Sequence, residues 1–147
     1  MTYSTNKKAH FDYEILEKME AGLMLTGAEV KSIRTNSVKL TGGFITFFGP
    51  KPVLTNVHIP KYKYAGQLDD YNAERSRPIL LNGKEITYLR EKMKERGLTI
   101  IPLSLCNKGR HIKLEIGIAK GKKQYDKRES IKKKDQKREI ARHLKGR

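Results

Sequence analysis

The chain has 147 residues, with 32 Lys and Arg against 16 Asp and Glu and a formal net charge of +16, which is length for one buried core plus an appendage but not for two cores. Such a charge calls for a polyanionic partner, since neutralising phosphates releases counterions and supplies much of the affinity, but it does not choose among RNA, DNA and an anionic membrane. No window approaches the roughly 18 apolar residues of a membrane-spanning helix, and residues 1–14 lack the hydrophobic region of a signal peptide, which predicts a cytosolic protein.

A single cysteine, Cys106, excludes an internal disulfide framework, and the absence of Trp leaves base stacking to Tyr, Phe, His or Arg.

Residues 1–10 are polar, with Lys7 and Lys8, and read as an arm that joins the fold near Phe11. From there Phe11, Tyr13 and Ile15 alternate with Asp12 and Glu14, a half-buried strand over 11–16. A turn at Glu20-Ala21-Gly22 would lead to a second strand, 23–25, and make a hairpin. Residues 26–34 read as a short helix: Thr26 is a suitable N-cap, Glu29 stands three residues on, and Val30 and Ile33 share one face. Capping alone is a sufficient role for Glu29.

Breaks at 35–37 and 41–43 precede a strand over 44–48, rich in aromatic and β-branched residues, ended by Gly49 and Pro50; another follows over 53–59. Short strands punctuated by turns favour a small closed or nearly closed barrel. The connection 60–78 carries Tyr62, Tyr64 and Tyr71 among Lys61, Lys63, Arg75 and Arg77. It suits either stacking on bases and capping a phosphate run, or packing of a Tyr-rich loop on the barrel's end.

A clearer helix covers 84–96, where Ile86, Leu89 and Met93 form a buried stripe and Gly97 is a suitable C′ residue. A long strand over 98–106 follows, in which Pro102 predicts a bulge or an edge position. Strict alternation over 111–118 turns Ile112, Leu114, Ile116 and Ile118 to the core. These elements predict a mainly β, OB-fold-like antiparallel barrel of about six strands with peripheral helices, over 1–119.

Residues 120–147 are set apart by thirteen cations against four acids, which is +9 of the total. Beyond Ala119 the apolar or amphipathic side chains are few, too few to offset backbone ordering at roughly 1–2 kcal/mol per residue. This basic C-terminal tail is expected to be disordered or weakly helical when free, with fair helix propensity after Asp126.

Catalytic patterns are missing. The four histidines have no ligand spacing with acids or Cys106, and no Gly-x-Ser-x-Gly elbow occurs. The run from Gly117 to Lys123 imitates a phosphate-binding loop but has three residues between its glycines rather than four, and Lys123 stands where Ser or Thr would hold magnesium. The reading is a binding protein, not an enzyme, with no cofactor or metal.

Several blocks, in order along essentially the whole chain, resemble the SmpB family of bacterial SsrA-binding proteins: NKKA (6–9), FDY (11–13), EAG (20–22), LTGAEVKSIR (25–34), PILLN (78–82), PLSL (102–105) and GIAKGKKQYDKR (117–128). The last is the most specific. The resemblance implies an OB-fold RNA binder that holds the tRNA-like domain of transfer-messenger RNA and brings it to ribosomes stalled on messages without a stop codon. It implies a cytoplasmic protein, monomeric when free, with no membrane partner.

It further implies that Glu29, Leu80 and Asn82 bind transfer-messenger RNA, and that Lys122, Lys123, Tyr125, Asp126, Lys127 and Arg128 meet the ribosomal decoding centre, Tyr125 by stacking. Ile131, Lys132, Lys133, Lys134, Lys137, Arg138 and Arg142 would line the mRNA channel of the small subunit, where cations replace message contacts with phosphate contacts. The competing expectation is a generic OB-fold ribosomal or initiation-type protein whose basic tail is only an anchoring arm in rRNA.

Overall fold

The structure, a computed structural model, describes residues 2–35, 38–62 and 71–122. In chain order these form β1 (Thr2–Thr5), α1 (Lys7–Asp12), β2 (Tyr13–Leu23), α2 (Gly27–Arg34), β3 (Phe44–Phe48), β4 (Lys51–Thr55), β5 (Arg77–Leu80), α3 (Gly83–Lys94), β6 (Leu98–Lys108) and β7 (His111–Gly121). The strands make one antiparallel sheet in the order β1-β6-β7-β2-β5-β4-β3.

The alternation in β7 has the expected consequence: Ile112, Leu114, Ile116 and Ile118 are all buried. They join Ile33 from α2, Ile45 and Leu54 from the β3–β4 hairpin, and Leu89 from α3 in one core. Each such side chain, fully removed from water, contributes about 1.5–3 kcal/mol. The sheet curls around this core, because β6 slips register between Pro102 and Ser104 and β2 slips between Ile15 and Glu17, and a bulge bends its strand and increases local twist.

Close backbone approach tightens the curl. A Cβ on Gly43 would lie 2.5 Å from Val57 Cγ2, and one on Gly117 2.9 Å from Leu103 Cδ1. The result is an OB-like barrel that is partly open: β3, at one end of the strand order, reaches β6 near the other, but among the described residues no ladder joins β1 to β3.

The mainly β, OB-like expectation holds, with seven strands instead of about six. Residues 2–5 are no arm but a strand on β6, with Thr5 opposite Ser104. Asn6 ties the following turn into the body. Its N–H donates to the Leu103 carbonyl at 2.8 Å, its side-chain amide donates to the Pro102 carbonyl at 2.9 Å, and its Oδ1 accepts from the Ala9 N–H at 3.2 Å to cap α1.

The expected hairpin at Glu20-Ala21-Gly22 is also replaced. β2 runs unbroken through Gly22, which lies between Lys113 of β7 and Leu80 of β5. Glycine there serves close packing rather than a turn, since its Cβ would sit 3.2 Å from Leu80 Cβ. β7 continues to Gly121, opposite Tyr13, three residues past the expected end of that strand.

Candidate nucleic-acid interface

Helix α2 begins with the capping box that its spacing predicts. Thr26 Oγ1 accepts from the Glu29 N–H at 3.2 Å, and Glu29 Oε1 accepts from the Thr26 N–H at 2.9 Å. Capping is only part of what this carboxylate does. Oε1 also accepts from Arg75 Nη2 at 2.6 Å and Oε2 from Arg77 Nε at 2.6 Å, with the Glu29 side chain 1% exposed.

Arg77, the first residue of β5, is itself fully buried. Nη1 donates to the Val57 carbonyl at 2.6 Å and Nη2 to the Ala73 carbonyl at 2.9 Å. Buried charges persist only when paired and hydrogen-bonded, and here both conditions are met. Burial pushes the Glu29 carboxyl up, but the hydrogen bonds from Arg75, the Thr26 N–H and Arg77 outweigh it and hold the group below its ordinary value.

The described start of the connection leading into β5 is tied to α2, and its later part is tied back to that start. Ser32 Oγ donates to the Pro60 carbonyl at 2.6 Å, the Tyr71 hydroxyl donates to the Ile59 carbonyl at 2.7 Å, and the Lys31 ammonium lies 5.8 Å from the centre of the Tyr62 ring. Of the two alternatives for this connection, Tyr71 follows packing. Arg77 cannot cap a phosphate run because it is sealed in the core, whereas Arg75 is 37% exposed. Tyr64 lies outside the described residues.

At the end of β5 the chain changes from buried to exposed. Leu80 is 53% exposed and Met24, linked to the same strand by its N–H donating to the Pro78 carbonyl at 3.0 Å, is 54% exposed. Leu80 edges a groove of about 340 Å³ shared with Gly22, Leu25, Val30, His111 and Lys113. Asn82 follows as N-cap of α3, its Oδ1 accepting from the Glu85 N–H at 2.8 Å and its own N–H donating to Glu85 Oε1 at 3.1 Å. Its exposed Nδ2 has no partner among the described residues.

The structure therefore brings Glu29, Leu80 and Asn82 to neighbouring elements, but in different settings: Glu29 is enclosed, Leu80 and Asn82 are at the surface. The start of the tail lies elsewhere. Lys122 donates its backbone N–H to the Asp12 carbonyl at 2.9 Å and its Nζ to the His10 carbonyl at 3.3 Å, at the C-terminal end of α1. Lys123, Tyr125, Asp126, Lys127, Arg128, Ile131, Lys132, Lys133, Lys134, Lys137, Arg138 and Arg142 lie outside the described residues.

Spacing did not reveal the Glu29–Arg75–Arg77 cluster. Arg75 and Arg77 stand two apart, so they fall on one side of an extended chain, but their acidic partner is 46 and 48 residues away.

A small, partly open OB-like barrel with an arginine and exposed apolar side chains on one rim is the class of fold whose strands and loops receive oligonucleotides. The SmpB protein family model matches residues 3–146. The SsrA-binding protein of Prochlorococcus marinus subsp. pastoris is 50% identical over 142 residues, covering 97% of this chain and 81% of the relative. That of Acaryochloris marina is 47% identical, covering 97% and 92%. A solved chain described under "tmRNA-SmpB: a journey to the center of the bacterial ribosome" superimposes with a TM-score of 0.68 at 37% identity, covering 86% of this chain and 92% of that one. The chain belongs to the SmpB family.

Proposed function

We propose that this protein binds the tRNA-like domain of transfer-messenger RNA and delivers it to stalled ribosomes in trans-translation. The observation that carries this reading is a family match over nearly the whole chain, joined by relatives named SsrA-binding protein and a solved neighbour from the tmRNA-SmpB complex of the bacterial ribosome. A chain of net charge +16 suits two RNA partners, transfer-messenger RNA and ribosomal RNA. Its role is binding and delivery rather than catalysis, in the bacterial cytoplasm, where both RNAs are found.

The work divides between the barrel, 1–119, and the tail, 120–147. Leu80 supplies an apolar edge for a nucleobase, and Asn82 supplies amide donors for a base edge or phosphate. Glu29 supports this rim from inside. The block from Lys122 to Arg128 meets the decoding centre, and the cations from Lys132 to Arg142 follow the mRNA channel.

The test is a gel-shift titration with transfer-messenger RNA and an ordinary elongator tRNA at one salt concentration, followed by a tagging assay on ribosomes stalled on truncated messages. Selective binding and tagging are expected. Equal affinity for both RNAs together with no tagging would replace this reading with a generic ribosomal RNA binder.

A further inference from the structure

We infer that Arg75 is a phosphate-binding residue of the RNA interface and that Glu29 and Arg77 are its positioning residues, so that an enclosed carboxylate promotes the binding of a polyanion. This rests on the proposed function and concerns how its rim is built. Arg75 and Arg77 share Glu29 but not an environment: Arg77 is sealed, and Arg75 reaches the surface.

Both side-chain hydrogen bonds of Arg75 leave from one nitrogen. Nη2 donates to Glu29 Oε1 at 2.6 Å and to the Met24 carbonyl at 3.1 Å, so among the described residues the Nε and Nη1 donors of the planar fork have no partner. A guanidinium held along one edge with its other donors unspent has already lost the rotamer freedom that a free arginine would lose on binding. The Met24 contact also fixes where it sits. Met24 bonds to β5 through Pro78, two residues before the exposed Leu80, which puts the cation on the rim that carries Leu80.

An RNA phosphate is the ligand this geometry fits: with the Nη2 hydrogens spent on Glu29 and Met24, the Nε and Nη1 hydrogens each offer a single charge-assisted hydrogen bond to an anionic oxygen. Glu29 does not compete for those donors. Its oxygens are occupied by Arg75, Arg77 and the Thr26 N–H, and its side chain is enclosed.

The experiment measures binding of full-length protein to transfer-messenger RNA across a salt series for wild type, Arg75→Gln, Arg75→Lys and Glu29→Gln, with thermal unfolding of each. Arg75→Gln leaves the buried Glu29–Arg77 pair intact. It should weaken binding severalfold and lower the slope of log Kobs against log salt by about one, with Arg75→Lys recovering the slope but not the full affinity. Glu29→Gln removes a negative charge, so simple electrostatics makes it bind RNA more tightly; the inference has it bind more weakly at temperatures where it remains folded.

Wild-type affinity and slope in Arg75→Gln, or tighter binding by folded Glu29→Gln, would overturn the inference alone. Failure of the wild type to bind this RNA would overturn the proposed function as well.

Discussion

Glu29 Oε2 accepts a hydrogen bond from Arg77 Nε at 2.6 Å, with both side chains enclosed. This joins the first turn of α2 to the first residue of β5 across 48 residues of sequence, and it braces from inside the rim on which Arg75 and Leu80 are exposed.

The energetic consequence is asymmetric. Removing Glu29 leaves Arg77 buried without a counter-charge, which costs on the order of 3–5 kcal/mol, whereas removing Arg77 leaves Glu29 still paired with Arg75. Glu29→Ala should lose about that much in urea unfolding, and Arg77→Ala should lose less. The double variant Glu29→Leu/Arg77→Met should lose clearly less than the sum of the two, because residues in direct contact are not additive. Additive losses would mean that the pair is not coupled.

The same pair sets a direction for acid sensitivity. Since the folded-state pKa of Glu29 lies below its ordinary 4.5, its contribution to stability is fully present above that value and is lost as pH falls through the folded pKa. Stability of the wild type should therefore decline below about pH 4.5, and Glu29→Gln, lower in stability at neutral pH, should show a flatter decline in that window. Equal slopes for the two proteins in pH-dependent urea titrations would remove Glu29 from the acid response.

Asn82 combines a fold role and a surface role that substitution can separate. Asn82→Asp keeps the oxygen that caps α3 and should leave the unfolding midpoint nearly unchanged, while losing the amide donors and weakening transfer-messenger RNA binding. Asn82→Ala should lose both the donors and about 1 kcal/mol of helix capping. If Asn82→Asp binds as tightly as wild type, the amide is not part of the interface.

The tail is tested by its own block. Replacing Asp126, Lys127 and Arg128 together with Ala should leave transfer-messenger RNA affinity within a few-fold of wild type and abolish tagging on stalled ribosomes. Equal loss in the gel shift and the tagging assay would show that barrel and tail do not divide the work.

Elements whose stabilising contacts are local were legible along the chain. The Thr26–Glu29 capping box follows from a three-residue spacing, α3 from its Ile86, Leu89 and Met93 stripe, and the bulge in β6 from Pro102, where the register does slip. Of the candidate site, Leu80 and Asn82 were proposed from family resemblance alone, and the structure leaves both at the surface. Strands β1 and β5 were not legible. Each has only four residues, and β1 takes its hydrogen bonds from β6, about a hundred residues away.

By itself, the sequence determined a basic, mainly β protein with a charged C-terminal extension, because hydrophobic period, caps, turns and net charge are properties of neighbouring residues or of their sum. Only the tertiary structure decided that Glu29 and Arg77 lie inside while Arg75 lies at the surface. Two arginines two positions apart have the same charge and the same local pattern, and both reach Glu29; what separates them is that Arg77 is enclosed when α2 and β5 come together while Arg75 is left at the surface. That choice depends on long-range closure of the barrel, where the desolvation of one cation is offset by Glu29 and two backbone carbonyls.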